Sequence, residues 1–189
     1  MTTKNPKTPI TPMTASPDAR AIPTATSFET RAIAPDVLER LRVGDDAGRV
    51  REVCTDPEGG APLRCCLRRS RAGERIMLVS YAPLRAWARE RGVEPGPYDE
   101  VGPVFVHGDP CGGPEGTGYP VALHGSPRVL RAYDARGYIR GGRTVDLPAE
   151  RAGEVDGLLA EMFTDPGVAL VHVRAVVFGC FLAEVRPLR

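Results

Sequence analysis

Lysine is almost missing from this chain. Lys4 and Lys7 are the only lysines, and arginine supplies the rest of the positive charge. With 25 basic and 24 acidic residues the formal net charge is +1. That balance leaves no basic footprint for a nucleic acid or an anionic membrane. Abundant Ala, Gly, Pro and Arg fit the codon usage of a GC-rich bacterial genome. No apolar run reaches the roughly 18 residues of a membrane span. The N-terminus also lacks the apolar core of about 7–15 residues that a secretory signal carries. A soluble, cytoplasmic protein is therefore expected. No C-x-x-C and no H-x-x-x-H occurs, so no local zinc pattern is present and no metal is expected from motif alone. A metal centre would have to be assembled from distant His and Cys. The Gly112 to Gly118 run lacks the Lys-Ser/Thr of a phosphate loop. No G-x-S-x-G elbow is found, and no organic cofactor is expected.

What is present begins with length. The 189 residues suit one domain with a sizeable core. Residues 1–27 are Thr/Pro-rich and poor in large apolar groups, which predicts a disordered tail, leaving 28–189 as the folded unit. Pro35 suits a first helical turn, and Val37, Leu38 and Leu41 share one helical face. Gly44 to Gly48 ends that helix. Within this turn Asp45 and Asp46 read as caps or solvated charges, as do Asp99 and Glu100 further on.

Short strands are predicted at Arg51 to Cys54, Leu63 to Arg68 and Arg75 to Tyr81, the last two forming a hairpin. Leu84, Trp87 and Ala88 fit a short helix closed by Gly92. Gly102 to His107 is an apolar strand, followed by a long Gly/Pro loop to Gly125. Strands at Val129 to Tyr133 and Tyr138 to Val145 precede a helix over Glu150 to Phe163. Two strands, Ala169 to Arg174 and Val177 to Val185, close the chain. Because most strands are followed by strands, the pattern argues an α+β fold, a largely antiparallel sheet with about three helices in a single domain.

The chemistry-bearing residues fall on these strands and their ends. The five cysteines, Cys54, Cys65, Cys66, Cys111 and Cys180, are odd in number, and two are adjacent. Reduced thiols fit better than a disulfide framework. On a strand, Cys65 and Cys66 would point to opposite faces. Cys65 then sits in phase with Leu63 and Leu67, as a core thiol. Cys66 sits in phase with Arg64 and Arg68, whose charge favours a thiolate. His107 ends its strand beside a flexible loop, a frequent place for a catalytic base, and Cys111 follows four residues later. His172 lies inside a strand between Val171 and Val173, on a face shared with Leu170 and Arg174. Cys180 reads as core, and His124 lies in a Gly/Pro loop.

Several segments in combination resemble a bacterial family known as domain of unknown function 1203. They are LRVGDDAGR (Leu41 to Arg49), RCCLR (Arg64 to Arg68), GERIMLVSY (Gly73 to Tyr81), PYDEVGPVFVHGDPC (Pro97 to Cys111), LRAYDARGYI (Leu130 to Ile139) and VHVRAVVFGCFLAEV (Val171 to Val185). The resemblance runs from about Phe28 to Val185 and implies no assigned activity. The family pattern often has Cys where this chain has Leu63, and the helix around Trp87 looks like an insertion.

The expectation is a small cytoplasmic enzyme acting on a small molecule, in the setting of a tailoring step in secondary metabolism. Its pocket would gather Cys66, His107, Cys111 and His172 as catalytic groups. Arg68, Arg174 and Tyr81 would hold an anionic substrate. Two alternatives stand beside it: a non-catalytic module binding a metabolite or partner, and a metal-binding protein.

Overall fold

The computed structural model describes residues 28–188. The segment expected to be disordered, 1–27, lies outside the described residues. Eight strands and three α-helices follow in the order β1 (Phe28–Arg31), α1 (Pro35–Val43), β2 (Cys54–Asp56), β3 (Glu74–Tyr81), α2 (Pro83–Arg91), β4 (Gly102–His107), β5 (Arg128–Tyr133), β6 (Ile139–Val145), α3 (Glu154–Met162), β7 (Leu170–Ala175) and β8 (Phe181–Pro187). The strands divide between a five-stranded sheet, β1-β8-β7-β5-β6, and a three-stranded sheet, β2-β3-β4. Every strand pairing is antiparallel, and the fold is α+β.

Strand alternation explains how the larger sheet is covered. Val171 and Val173 of β7 join Leu130, Ala132, Ala183 and Val185 on the face packed by Val155, Leu159 and Met162 of α3. Leu170, in the opposite phase, meets Tyr133 and the Leu84 and Trp87 side chains of α2. β7 is therefore buried on both faces, which is why its sequence reads as nearly continuous apolar residues.

The smaller sheet carries α1. Pro35 opens that helix, and Leu38 and Leu41 are its buried residues. Full burial of each contributes about 1.5–3 kcal/mol. They pack with Ile76, Val79, Val104 and Val106, and Phe181 of β8 joins the same cluster, linking the two sheets.

Several local expectations need correction. Leu63 to Arg68 is not a strand and forms no hairpin with β3. It is a compact turn, closed by Leu67 N–H donating to Leu63 O at 3.0 Å and Leu63 N–H donating to Arg68 O at 2.9 Å. Leu67 adopts a left-handed φ of 55°. Leu63 through Leu67 are all buried, a run no half-exposed strand would give. β2 begins at Cys54, where the predicted strand ended, and β8 starts at Phe181 because Val176 to Phe178 form the turn after β7. β1, which had no distinct pattern, adds to the edge of β8.

Asp45 proves to be an organising residue and not a solvated charge. Its Oδ1 accepts from the backbone N–H of Ala47 (3.0 Å) and Arg49 (2.9 Å). Its Oδ2 accepts from Arg51 Nε (2.8 Å) and Ser80 N–H (3.1 Å), which docks the Gly44 to Gly48 turn onto β3. Burial alone would raise the Asp45 pKa, but the hydrogen bonds from Arg51, Arg49 and Ser80 outweigh it and hold the carboxyl well below its usual range. A depressed native pKa stabilises the fold above the unfolded carboxylate value of about 3.9 and loses that contribution as pH falls toward the native value. Asp45→Ala should cost about 1–3 kcal/mol at neutral pH in denaturant melts. The gap to the unmodified protein should close as pH drops below about 4. A gap that stays constant across that range would show that the charge of Asp45 is not what stabilises the turn.

Candidate functional site

The free edge of β4 creates the site. β3 satisfies one side of β4, in a register that sets Ile76 opposite His107. On the other side the Leu63 to Arg68 turn takes the place of a strand. Arg64 N–H donates to Phe105 O at 2.9 Å, and His107 N–H donates to Cys65 Sγ at 3.3 Å. The turn is pinned from beneath by Arg64, whose buried guanidinium donates from Nε to Phe181 O at 2.8 Å and from Nη1 to Pro62 O. Burial lowers the Arg64 pKa to about 10. Arg42 of α1 holds the other end, donating from Nε to His107 O (3.3 Å) and from Nη2 to Asp109 O (3.1 Å).

In a turn, adjacent side chains need not diverge. The expectation that Cys65 and Cys66 face opposite ways is overturned, since their Sγ atoms lie 3.9 Å apart. His107 Nδ1 is 3.3 Å from Cys65 Sγ and 3.9 Å from Cys66 Sγ. The loop after β4 brings Cys111 back, so that one donor atom from each of Cys65, Cys66, His107 and Cys111 lies within 4.8 Å of all the others. Cys65, Cys66 and His107 are buried, and Cys111 is exposed.

The two adjacent thiols share their proton unequally. The contact with Cys66 and burial push the Cys65 thiol up. The same contact lowers the Cys66 thiol against the opposing effect of burial, with help from the Arg68 backbone and guanidinium. Behind the imidazole, His107 Nε2 lies 3.4 Å from Glu74 Oε2 and 3.2 Å from Arg68 Nη2. Arg68 and Glu74 themselves form a two-pronged pair at 2.9 and 2.7 Å. A His107 protonated at Nε2 donates to Glu74 and turns the Nδ1 lone pair toward the sulfurs.

Three of the expected catalytic residues, Cys66, His107 and Cys111, are therefore brought together, with Arg68 beside them. The other expected site residues lie elsewhere. His172 is fully buried in the larger sheet, its ring centroid 4.7 Å from that of Tyr133 and 5.1 Å from that of Phe181. Its Nε2 stands 3.7 Å from Glu184, and among the described residues neither ring nitrogen has a hydrogen-bond partner. Burial lowers its pKa against the pull of Glu184, so it is neutral. Tyr81 lines a neighbouring cavity of about 470 Å³ with Trp87, Phe181, Glu184 and Arg186. Arg174 donates to Gly179 O at 2.8 Å and pairs with Glu100 at 2.6 Å. The convergence of His172 with Cys66 and His107 is not what the chain builds. Two participants go beyond the sequence reading: Cys65, expected to be a core thiol, and Glu74, which falls between the predicted strands at Leu63 to Arg68 and Arg75 to Tyr81. The adjacency of Cys65 and Cys66 was the only sequence signal for the first.

The donor set suits a soft or borderline cation. Zinc sits about 2.3 Å from sulfur and about 2.0–2.1 Å from nitrogen, so tetrahedral ligands stand roughly 3.5–3.8 Å apart. The three separations among Cys65, Cys66 and His107 bracket that range. Three sulfurs with one imidazole disfavour magnesium and calcium, which take oxygen.

No curated protein and no solved structure matches this chain. A family model described as "Protein of unknown function (DUF1203)" matches residues 60–187 and so spans the Cys65–Cys66 turn, β4, Cys111 and both closing strands; the chain belongs to that family.

Proposed function

We propose that this protein is a metal-binding protein that holds one zinc-like cation with Cys65, Cys66 and Cys111 as thiolates and His107 through Nδ1. The observation behind this reading is the convergence of four donor atoms within 4.8 Å, from two segments with no reason to meet other than closing the β4 edge. Supporting details follow the pattern of known metal sites. Glu74 stands where an outer carboxylate orients a ligating imidazole. The His107 N–H to Cys65 hydrogen bond stabilises negative charge on a sulfur. The five cysteines, all free, fit a reducing compartment such as the cytoplasm. No helix of the described residues is long and apolar enough to cross a membrane.

Protein purified without chelator should contain one zinc per chain by elemental mass spectrometry. Cys66→Ser and His107→Ala should lose it while keeping the circular dichroism of the parent. A metal-free protein that takes up neither zinc nor cobalt(II) on addition would overturn the reading. Glu74→Ala should retain one site but bind about 10–100-fold more weakly in competition with a chromophoric chelator. Unchanged affinity would remove Glu74 from the centre.

A second reading is favoured by the placement of Cys66 Sγ 3.9 Å from His107 Nδ1, with Arg68 3.2 Å from the other ring nitrogen, surroundings that draw the Cys66 thiol down. Here Cys66 is the nucleophile of a small-molecule enzyme and His107 its base. Alkylation separates the two. A free Cys66 thiolate is modified rapidly at pH 7 with or without chelator. A metal-held Cys66 is protected until the cation is stripped.

A further inference from the structure

Resting on the metal reading, we infer that Cys111 is an exchangeable ligand and that a small aminothiol takes its place on the metal from the adjoining groove. The four donors are not held alike. Cys65, Cys66 and His107 are buried, tied to one another and locked by the β4 edge, Arg64 and Arg42. Cys111 is exposed, makes no hydrogen bond among the described residues, and is followed by Gly112 and by Gly113 at a left-handed φ of 78°. A centre with three rigid protein ligands and one loose one has the form of a site that exchanges its fourth ligand, whereas structural zinc sites are closed.

The loose ligand is also the one at the opening. A groove of about 630 Å³ runs between the β1–α1 connection and the Pro110 to Thr117 segment, and both Cys65 and Cys111 line it. One wall is apolar, formed by Ala32, Ile33 and Leu38. The charged lining consists of Glu29, Glu39, Glu90 and Glu115 against Arg31 and Arg42. Arg31 pairs with Glu29 at 2.6 Å, Glu90 pairs with Arg186 at 2.6 Å, and Arg42 keeps its charge while donating to backbone carbonyls. Glu39 and Glu115 make no ion pair among the described residues. The groove therefore favours a positive group on the incoming molecule. The centre favours a thiolate, because it replaces a thiolate without changing the charge on the metal. Exchange is balanced without any redox step: the metal–Cys111 Sγ bond breaks, a bond from the metal to the incoming sulfur forms, and the thiol proton moves to Cys111 Sγ.

The test uses full-length protein loaded with cobalt(II), whose absorption reports the number of sulfurs and the geometry around the ion. Cys111→Ala should retain one cobalt per chain with an altered spectrum. Adding cysteamine should restore a spectrum close to that of the parent, at lower concentration than neutral 2-mercaptoethanol, and thioglycolate should be the weakest of the three. In the parent protein the same thiols should compete with Cys111 and expose it to alkylation. If Cys111→Ala loses its metal as completely as Cys66→Ser, Cys111 is a fixed structural ligand and the inference fails while the metal reading stands. Retained cobalt with no spectral response to any thiol also overturns the inference while the metal reading stands. An equal response to all three thiols would overturn the aminothiol assignment. Failure of the parent protein to bind cobalt or zinc overturns the metal reading, and this inference with it.

Discussion

Phe105 O and His107 N–H on the outer edge of β4 have no strand to pair with. An exposed edge of this kind invites pairing with another chain, and a buried backbone group without a partner costs about 1–3 kcal/mol. The chain resolves both at once with a turn whose Arg64 N–H and Cys65 Sγ fill the two vacancies. The rest of the site depends on that substitution. A sulfur used as a backbone acceptor must sit against the strand, which brings Cys65 to His107. The tightness of the turn then brings Cys66 alongside, and Arg64, reaching across to Phe181, fixes the turn against the larger sheet.

The two sheets divide the buried polar groups between them. The smaller sheet gathers thiols and an imidazole at one edge, with the Arg68–Glu74 pair as outer support. The larger sheet buries a different network. Arg186 pairs with Glu184 at 2.5 Å and with Glu90 at 2.7 and 2.6 Å, with His172 behind Glu184. Breaking a buried pair of this kind by removing one partner leaves an uncompensated charge and is strongly destabilising. His172 sits beside this network, packed between Tyr133 and Phe181.

Elements defined by local periodicity were legible in the sequence. α1 could be read from Pro35, Leu38 and Leu41, α3 from Val155, Leu159 and Met162, and β3 to β7 from short apolar runs between turn residues. The site was legible only in part. Leu-Arg-Cys-Cys-Leu-Arg offers six residues whose strand reading rests on assumed alternation, and a strand would separate the two thiols. What decides against it is the demand of the β4 edge for two specific partners, a tertiary requirement with no trace in the local pattern. The same limit hid the role of Glu74 and falsely grouped His172 with His107. Both histidines lie at or within apolar strands, but in different sheets. Asp45 was legible as a cap, which its bonds from Ala47 and Arg49 N–H bear out, but its tie to Ser80 on β3, far away in sequence, was not.

None of the hydrogen bonds that hold the site needs a metal–ligand bond, and this bears on what kind of centre it would be if it takes a cation. Zinc fingers fold only when metal closes the site, so their binding free energy is folding free energy. Here the turn is held by backbone hydrogen bonds, by Arg64 and by Arg42, none of which involves a metal–ligand bond. The contact between the two thiols favours the proton on Cys65 over Cys66. A divalent ion would displace that proton and take both sulfurs with little rearrangement, because the three inner donors already stand at ligand spacing. If the site takes a cation, the binding free energy would go into holding the ion and not into building the fold. A centre that does not hold the fold together can release one ligand at little structural cost, and the exposed, glycine-flanked Cys111 is the one placed to be released.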